Sequence, residues 1–223
     1  MSADPTRPDD PSGTPTATRL LDVAEQLFAR HGIDNVSLRR IVRASGQANL
    51  SAAHYHFGSR EALIRAVVER RLRTIDAIRH RYLDRVVEQG RADDLHAIIS
   101  AAVHALADVV RDSPWGADYV RVLAQALFDP RVALLDTVDP VALGGIARVR
   151  AMAGRLLPDV QGARFEARAL IVHHETSYAI ARWVHAHGAP GPRTLAAWTT
   201  MVEDLAAFMA AGVAAPVAPV ATG

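Results

Sequence analysis

The chain holds two places where residue type and spacing could do chemistry. The first is Ser37 to Arg60. Arg39, Arg40 and Arg43 recur on one side of a short apolar-periodic segment. Asn49, Ser51, Ala52, His54, Tyr55 and His56 follow, all small or hydrogen-bonding, with Leu50, Ala53 and Phe57 on the other side. Phosphate contacts need donors, and reading of base edges needs short polar or methyl-bearing side chains. The second is His173-His174-Glu175. It could suggest a metal, but neighbours on a helix diverge and no HExxH spacing exists, so no metal site is expected. No GxGxxG loop, P-loop or GxSxG elbow occurs, and cysteine is absent. Scattered Ser, His and Asp carry no weight, so no enzyme activity and no cofactor are expected.

Charge separates the first place from the rest. The formal net charge is only +1, yet residues 16–73 hold ten Arg against five acids. The flanking parts are each slightly acidic. A basic segment on a near-neutral body is the footprint of a phosphate-binding module. All the cationic side chains are Arg, a bias that says little by itself.

The elements that must position these residues read as helices. Half of the residues are hydrophobic and aromatics are scarce. No strand alternation is convincing, so the fold class is all-α. Helix 1 is expected from about Thr18 to Arg30, with Leu20, Val23, Ala24, Leu27 and Phe28 on one face and Gly32 as its stop. Ser37 caps helix 2, which buries Leu38, Ile41 and Val42 and ends at Ser45-Gly46. Helix 3 is expected from Asn49 to His56. Ser59 caps a long helix 4 reaching about Gln89, with a seam of Leu63, Val67, Leu72, Ile75, Ile78, Tyr82 and Val86. Further helices are expected at 92–112, 115–128, 140–157, 162–187 and 193–211, with breaks at Pro and Gly. Three short helices joined by a turn over residues 44–49 form a helix-turn-helix, whose second helix can lie in a major groove.

The strings TRLLDVAEQLFARHG, VSLRRIVRASG and NLSAAHYHFGSREAL resemble the TetR family of transcriptional regulators over about residues 16–66. The most specific part is Tyr55-His56-Phe57 followed by Gly58-Ser59-Arg60-Glu61-Ala62-Leu63. From Gly46 to Tyr55 the chain is one residue longer than the usual pattern, like a subset with a Gly-Gln-x-Asn turn. That leaves open which of Asn49, Leu50 and Ser51 first faces a base. The resemblance implies that Ser37 and Arg39 touch phosphate, and that Tyr55, His56 and Arg60 touch the backbone across the groove. Ala52 and His54 would then lie nearest base edges, with Asn49 or Ser51 beside them.

The resemblance also implies a larger C-terminal helical domain that binds a small molecule and dimerises. The expected organisation is a tail at 1–15 without fixed structure, a DNA-binding domain at 16–62, a ligand-binding and dimerisation domain at 63–211, and a flexible tail at 212–223. Pocket candidates are polar or aromatic residues in apolar helices: His104, Trp115, Tyr119, Gln125, Phe128, His173, His174, Ser177 and Tyr178. Interface candidates are Leu170, His174 and Ala181 on one helix, and Leu195, Trp198, Val202, Leu205 and Met209 along the last, where alternating steps of three and four make a narrow seam. Two such helices from each subunit would make a four-helix dimer interface; packing of the same seam within one subunit is the alternative. No apolar run approaches the ~18 residues of a membrane span, and the start lacks a basic-then-apolar leader, so a cytoplasmic protein is expected. The implied partners are a palindromic DNA duplex, a second copy and an unidentified small molecule, as for a ligand-released repressor. An activator, a ligand-independent regulator and a nucleic-acid binder without sequence preference remain alternatives.

Overall fold

The computed structural model describes residues 15–47, 51–132 and 138–217, and its regular elements there are helices alone. They are α1 (Pro15–His31), α2 (Leu38–Ala44), α3 (Ser51–Phe57), α4 (Arg60–Glu88), α5 (Leu95–Asp112) and α6 (Gly116–Phe128). After a 3-10 turn, Pro140–Leu143, come α7 (Gly144–Arg155), α8 (Ala163–His187) and α9 (Leu195–Ala214). Residues 1–14, the central turn residues 48–50 and the end of the C-terminal tail lie outside the described residues.

Local chemistry sets the boundaries. The Ser37 hydroxyl accepts the Arg40 N–H, the Ser59 hydroxyl that of Ala62 and the Asp94 carboxylate that of Ala97, so α2, α4 and α5 each begin on a side-chain cap. At the end of α2, Gly46 has φ +75°, a left-handed conformation that a side chain resists.

One buried cluster runs from the N-terminal helices into the body. It joins Leu20, Leu21 and Phe28 of α1, Ile41 of α2 and Ala53 of α3 to Leu63, Ile64 and Val67 of α4, then to Tyr119 and Leu123 of α6 and Trp198 of α9. A second cluster closes the far end around Leu83, Ile98, Met152, Phe165 and Val213. The long α4 contributes to both.

Two expectations need correction here. The chain does not loosen at residue 212: α9 runs to Ala214, Val213 is buried, and Arg168 donates to the carbonyls of Val213 and Ala215 at 2.8 and 2.6 Å. The inward stripe of α4 also differs from the expected seam. Past Leu72 it follows Ile75, Asp76, Arg79, Leu83 and Val86, which puts a carboxylate and a guanidinium in the interior while Ile78 and Tyr82 are half-buried.

Candidate nucleic-acid interface and ligand cavity

In the N-terminal head, α3 stands on Ala53, which is fully buried, while Ser51, His54 and Tyr55 face solvent. Tyr55 is 82% exposed, the largest such value among the exposed bulky hydrophobic residues. His54 Nδ1 lies 3.0 Å from the Gly58 carbonyl. A carbonyl can only accept, so Nδ1 carries the proton, and a neutral ring then leaves Nε2 as an acceptor. His56 is half-buried and edge-on to the Tyr55 ring. Asn49 and the side chain of Ala52 lie outside what is described.

The basic residues of the head divide sharply by partner. Arg19 Nε donates to the Ser45 carbonyl at 2.6 Å, Arg60 Nε to the Val36 carbonyl at 3.0 Å and Arg65 to the Val132 carbonyl at 3.3 Å. Arg70 and Arg71 hold the buried Glu25 carboxylate at 3.1 and 2.7 Å, and Arg73 pairs with Glu69. Arg30, Arg39, Arg40 and Arg43 are exposed, with no ion pair among the described residues. Three of these four lie on α2, so the free positive charge is narrower than the composition suggests. Ser37 is exposed but already spends its hydroxyl as a cap. Arg60 is largely covered, its side chain 19% exposed, and holds the loop before α2 against the start of α4.

Three ties join head to body. The Ile33 N–H donates to Gln125 Oε1 at 2.9 Å, Asp34 pairs with Arg131, and Glu25 of α1 bridges to α4 as above. Gln125 therefore fastens the α1–α2 loop rather than lining a pocket.

The body holds a partly open cavity of about 60 Å3, walled mainly by α4, α5, α7 and α8. Its walls are mostly aliphatic, with Leu72 and Ile75 of α4, Leu106 of α5 and Val149 of α7 typical. Polar groups enter from Arg79, Arg150, His173, Thr176 and Ser177. Arg79 pairs with Asp76 at 3.1 Å, and both Asp76 oxygens accept the Gly145 N–H at 2.8 and 3.0 Å. His80 stands 3.5 Å from the same carboxylate. Burial lowers the Arg79 pKa, opposed by Asp76, yet a guanidinium stays charged. Burial also pushes the His173 ring down to about 4, aided by the nearby Arg79 charge, so it is neutral near pH 7. The Ser177 hydroxyl donates back to the His173 carbonyl at 3.0 Å.

Of the expected pocket residues, His173 and Ser177 line this cavity and the others do not. His104 stands 3.4 Å from Glu203, and Trp115 lies under the Arg71 guanidinium, 4.2 Å from its centroid. Tyr119 is fully buried, and its hydroxyl has no hydrogen-bond partner among the described residues. Phe128 and Tyr178 are exposed at 59% and 49%, and the half-buried His174 packs beside Phe128. Sequence reasoning missed Asp76 and Arg79. The available signal was a charge pair three residues apart at positions where the stripe of α4 calls for apolar side chains.

The expected interface residues split as well. Trp198, Val202, Met209 and Ala181 are buried inside the chain, with Trp198 edge-on to Trp183 at 4.7 Å. This corrects their assignment, because side chains already buried in one subunit have almost no area left to give a partner. Leu205 is half-buried, while Leu170 and Leu195 remain exposed. The uncovered face carries Ile171, Tyr178 and Arg182 on α8, and Asp204 and Phe208 on α9.

Among the described residues no group of three His, Cys, Asp or Glu could hold a metal ion, and no helix is long and apolar enough to cross a membrane.

Comparisons with known proteins agree with this architecture. Residues 20–67 match the family model of bacterial regulatory proteins of the tetR family, and residues 96–212 match the tetracyclin repressor-like C-terminal domain. No curated protein sequence matches the chain. Among solved structures, a tetR-family transcription regulator of Shewanella sp. PV-4 is similar at 18% identity and a TM-score of 0.64, over 88% of this chain and 96% of that one. The fatty acid degradation regulator FadR of Bacillus halodurans is similar at 15% identity and TM-score 0.56, over 88% and 95%. FadR of Bacillus subtilis, in complex with stearoyl-CoA, is similar at 13% and 0.55, over 90% and 99%. At these identities the likeness is one of fold. The two family matches together span most of the chain, from the head through the cavity-bearing body, and this protein belongs to the TetR family of bacterial regulatory proteins.

Proposed function

We propose that the protein is a dimeric, sequence-specific DNA-binding repressor, released from a palindromic operator when a small molecule fills the cavity walled by α4, α5, α7 and α8. The observation that carries this reading is the sharing of α4. One helix supplies the cavity wall through Leu72, Ile75 and Arg79, holds α1 through Arg70 and Arg71, and starts beside α3.

In this reading α3 enters the major groove. Ala52 and His54 face base edges, with Asn49 or Ser51 beside them, after the longer Gly-Gln-x-Asn turn. The neutral form of His54 offers Nε2 as an acceptor suited to the amino group of adenine or cytosine. Arg39, Arg40 and Arg43 supply phosphate charge, with Ser37, Tyr55 and His56 at the flanks, while Arg60 holds the loop before α2 in place. A second copy docks on the uncovered face of α8 and α9. Ile171, Tyr178 and Phe208 offer apolar area there, and Arg182 and Asp204 are opposite charges without ionic partners among the described residues. Two heads then meet successive major grooves about one DNA turn apart.

A ligand shifts this arrangement only through different affinity for the bound and released states. The ties of Glu25, Ile33 and Asp34 to the body give such a shift a route to the head. The test is a retardation assay on the preferred DNA site with compounds that raise the thermal stability of the protein. At least one stabilising compound should dissociate the complex. If every stabilising compound leaves the complex intact, release by ligand is wrong while DNA reading stands.

A further inference from the structure

The polar groups of the cavity specify more than an apolar guest. Arg79 is 4% exposed, and its Nε–H has no hydrogen-bond partner among the described residues; Thr176 is 6% exposed, and its hydroxyl has none among them either. Both side chains line the cavity, from α4 and α8 respectively. The His173 ring lines the same wall and makes no hydrogen bond among the described residues. Buried donors left unpaired are costly, so a cavity wall that carries these residues favours a guest with an acceptor.

The local charge is already balanced. Arg79 is matched by Asp76, which also takes the Gly145 N–H and stands beside His80. Arg150, the other cation on the cavity wall, is matched by Glu166. A carboxylate entering here would be desolvated without a free cation to meet it, which is strongly unfavourable. A neutral carbonyl oxygen would satisfy the donors at far smaller desolvation cost.

We propose that the cavity takes a mostly apolar small molecule with one uncharged carbonyl-type acceptor, held by the Arg79 Nε–H and the Thr176 hydroxyl. This rests on the reading of the cavity as the effector site. The neutral His173 ring adds a third group able to donate without adding charge. Aliphatic walls receive the rest of the guest.

The test is calorimetric titration of the full-length protein with three probes of equal carbon number: a straight-chain methyl ketone, the carboxylic acid and the alkane. The ketone should bind about tenfold more tightly than either of the others, the size of effect expected when buried donors gain a partner. Thr176→Val and Arg79→Lys should each remove most of that preference for the ketone. The lysine variant keeps a cation beside Asp76 but loses the Nε–H. Ala102→Phe, which fills the cavity, should abolish binding of all three. Equal affinities, a preference for the acid, or no binding of the ketone overturns the proposed ligand class. Binding that survives Ala102→Phe overturns the cavity reading itself.

Discussion

At the residue scale, partners decide which arginines are free to meet a phosphate. Arg39, Arg40 and Arg43 have no ionic partner among the described residues, whereas Arg60 is spent on the Val36 carbonyl. Phosphate contacts release counterions, so each one adds about one to the slope of log affinity against log salt. Arg39→Ala should therefore flatten that slope by about 1, measured by fluorescence anisotropy over a salt series. Arg60→Ala should instead cost about 1 kcal/mol of stability through the lost hydrogen bond, seen in denaturant unfolding, and leave the slope unchanged. Equal slope changes in both variants would mean that Arg60 reaches phosphate. The basic segment was legible in the sequence because charge counts need no structure. Which arginines stay free was not, because Arg19, Arg65 and Arg70 find partners 26, 67 and 45 residues away.

At the element scale, the helices were readable because caps, glycines and apolar periodicity are local signals. Ser37, Ser59 and Gly46 stand where those signals place them. What periodicity could not give was the object each face meets. The stripe Trp198, Val202, Met209 is a true seam, but it packs against α5 and α8 in the same chain, and a repeat of three and four is indifferent to whether its partner belongs to another subunit. Likewise the Asp76–Arg79 pair is legible as a charge pair but not as buried, because burial depends on α7 arriving from 69 residues away. A methyl group on Gly145 would sit 2.7 Å from Asp76 Oδ1. Gly145→Ala should thus push α7 off α4 and cost about 1–3 kcal/mol, measured by denaturant unfolding. Wild-type stability in this variant would mean that the contact yields freely. Glu25 bridges α1 to α4 from a buried position, and breaking such a pair is expensive. Glu25→Ala should cost about 3 kcal/mol and raise amide exchange in α1 before α8.

At the scale of the whole molecule, the cavity and the uncovered α8–α9 face make separate demands. The His173 pKa is depressed from an ordinary 6.5 to about 4 by burial. The unfolded chain therefore takes up this proton before the folded chain does. Its contribution to stability is complete above about pH 6.5, falls as the pH drops, and is gone once the pH passes below about 4. Denaturant midpoints over this range should fall more steeply for the wild type than for His173→Asn; equal slopes would contradict the assignment. Phe208 is 72% exposed, so Phe208→Glu should leave the fold intact and yield monomers in sedimentation equilibrium. A dimer unaffected by this change would place the interface elsewhere.

In-vitro selection from a random duplex pool, run in parallel with wild type and His54→Ala, decides whether α3 reads DNA sequence. The wild type should enrich a palindrome whose half-sites lie about one helical turn apart. His54→Ala should relax or change one base position in each half while retaining most nonspecific affinity. No enriched sequence in competition with bulk DNA, or an identical motif from both proteins, would mean that α3 does not read sequence.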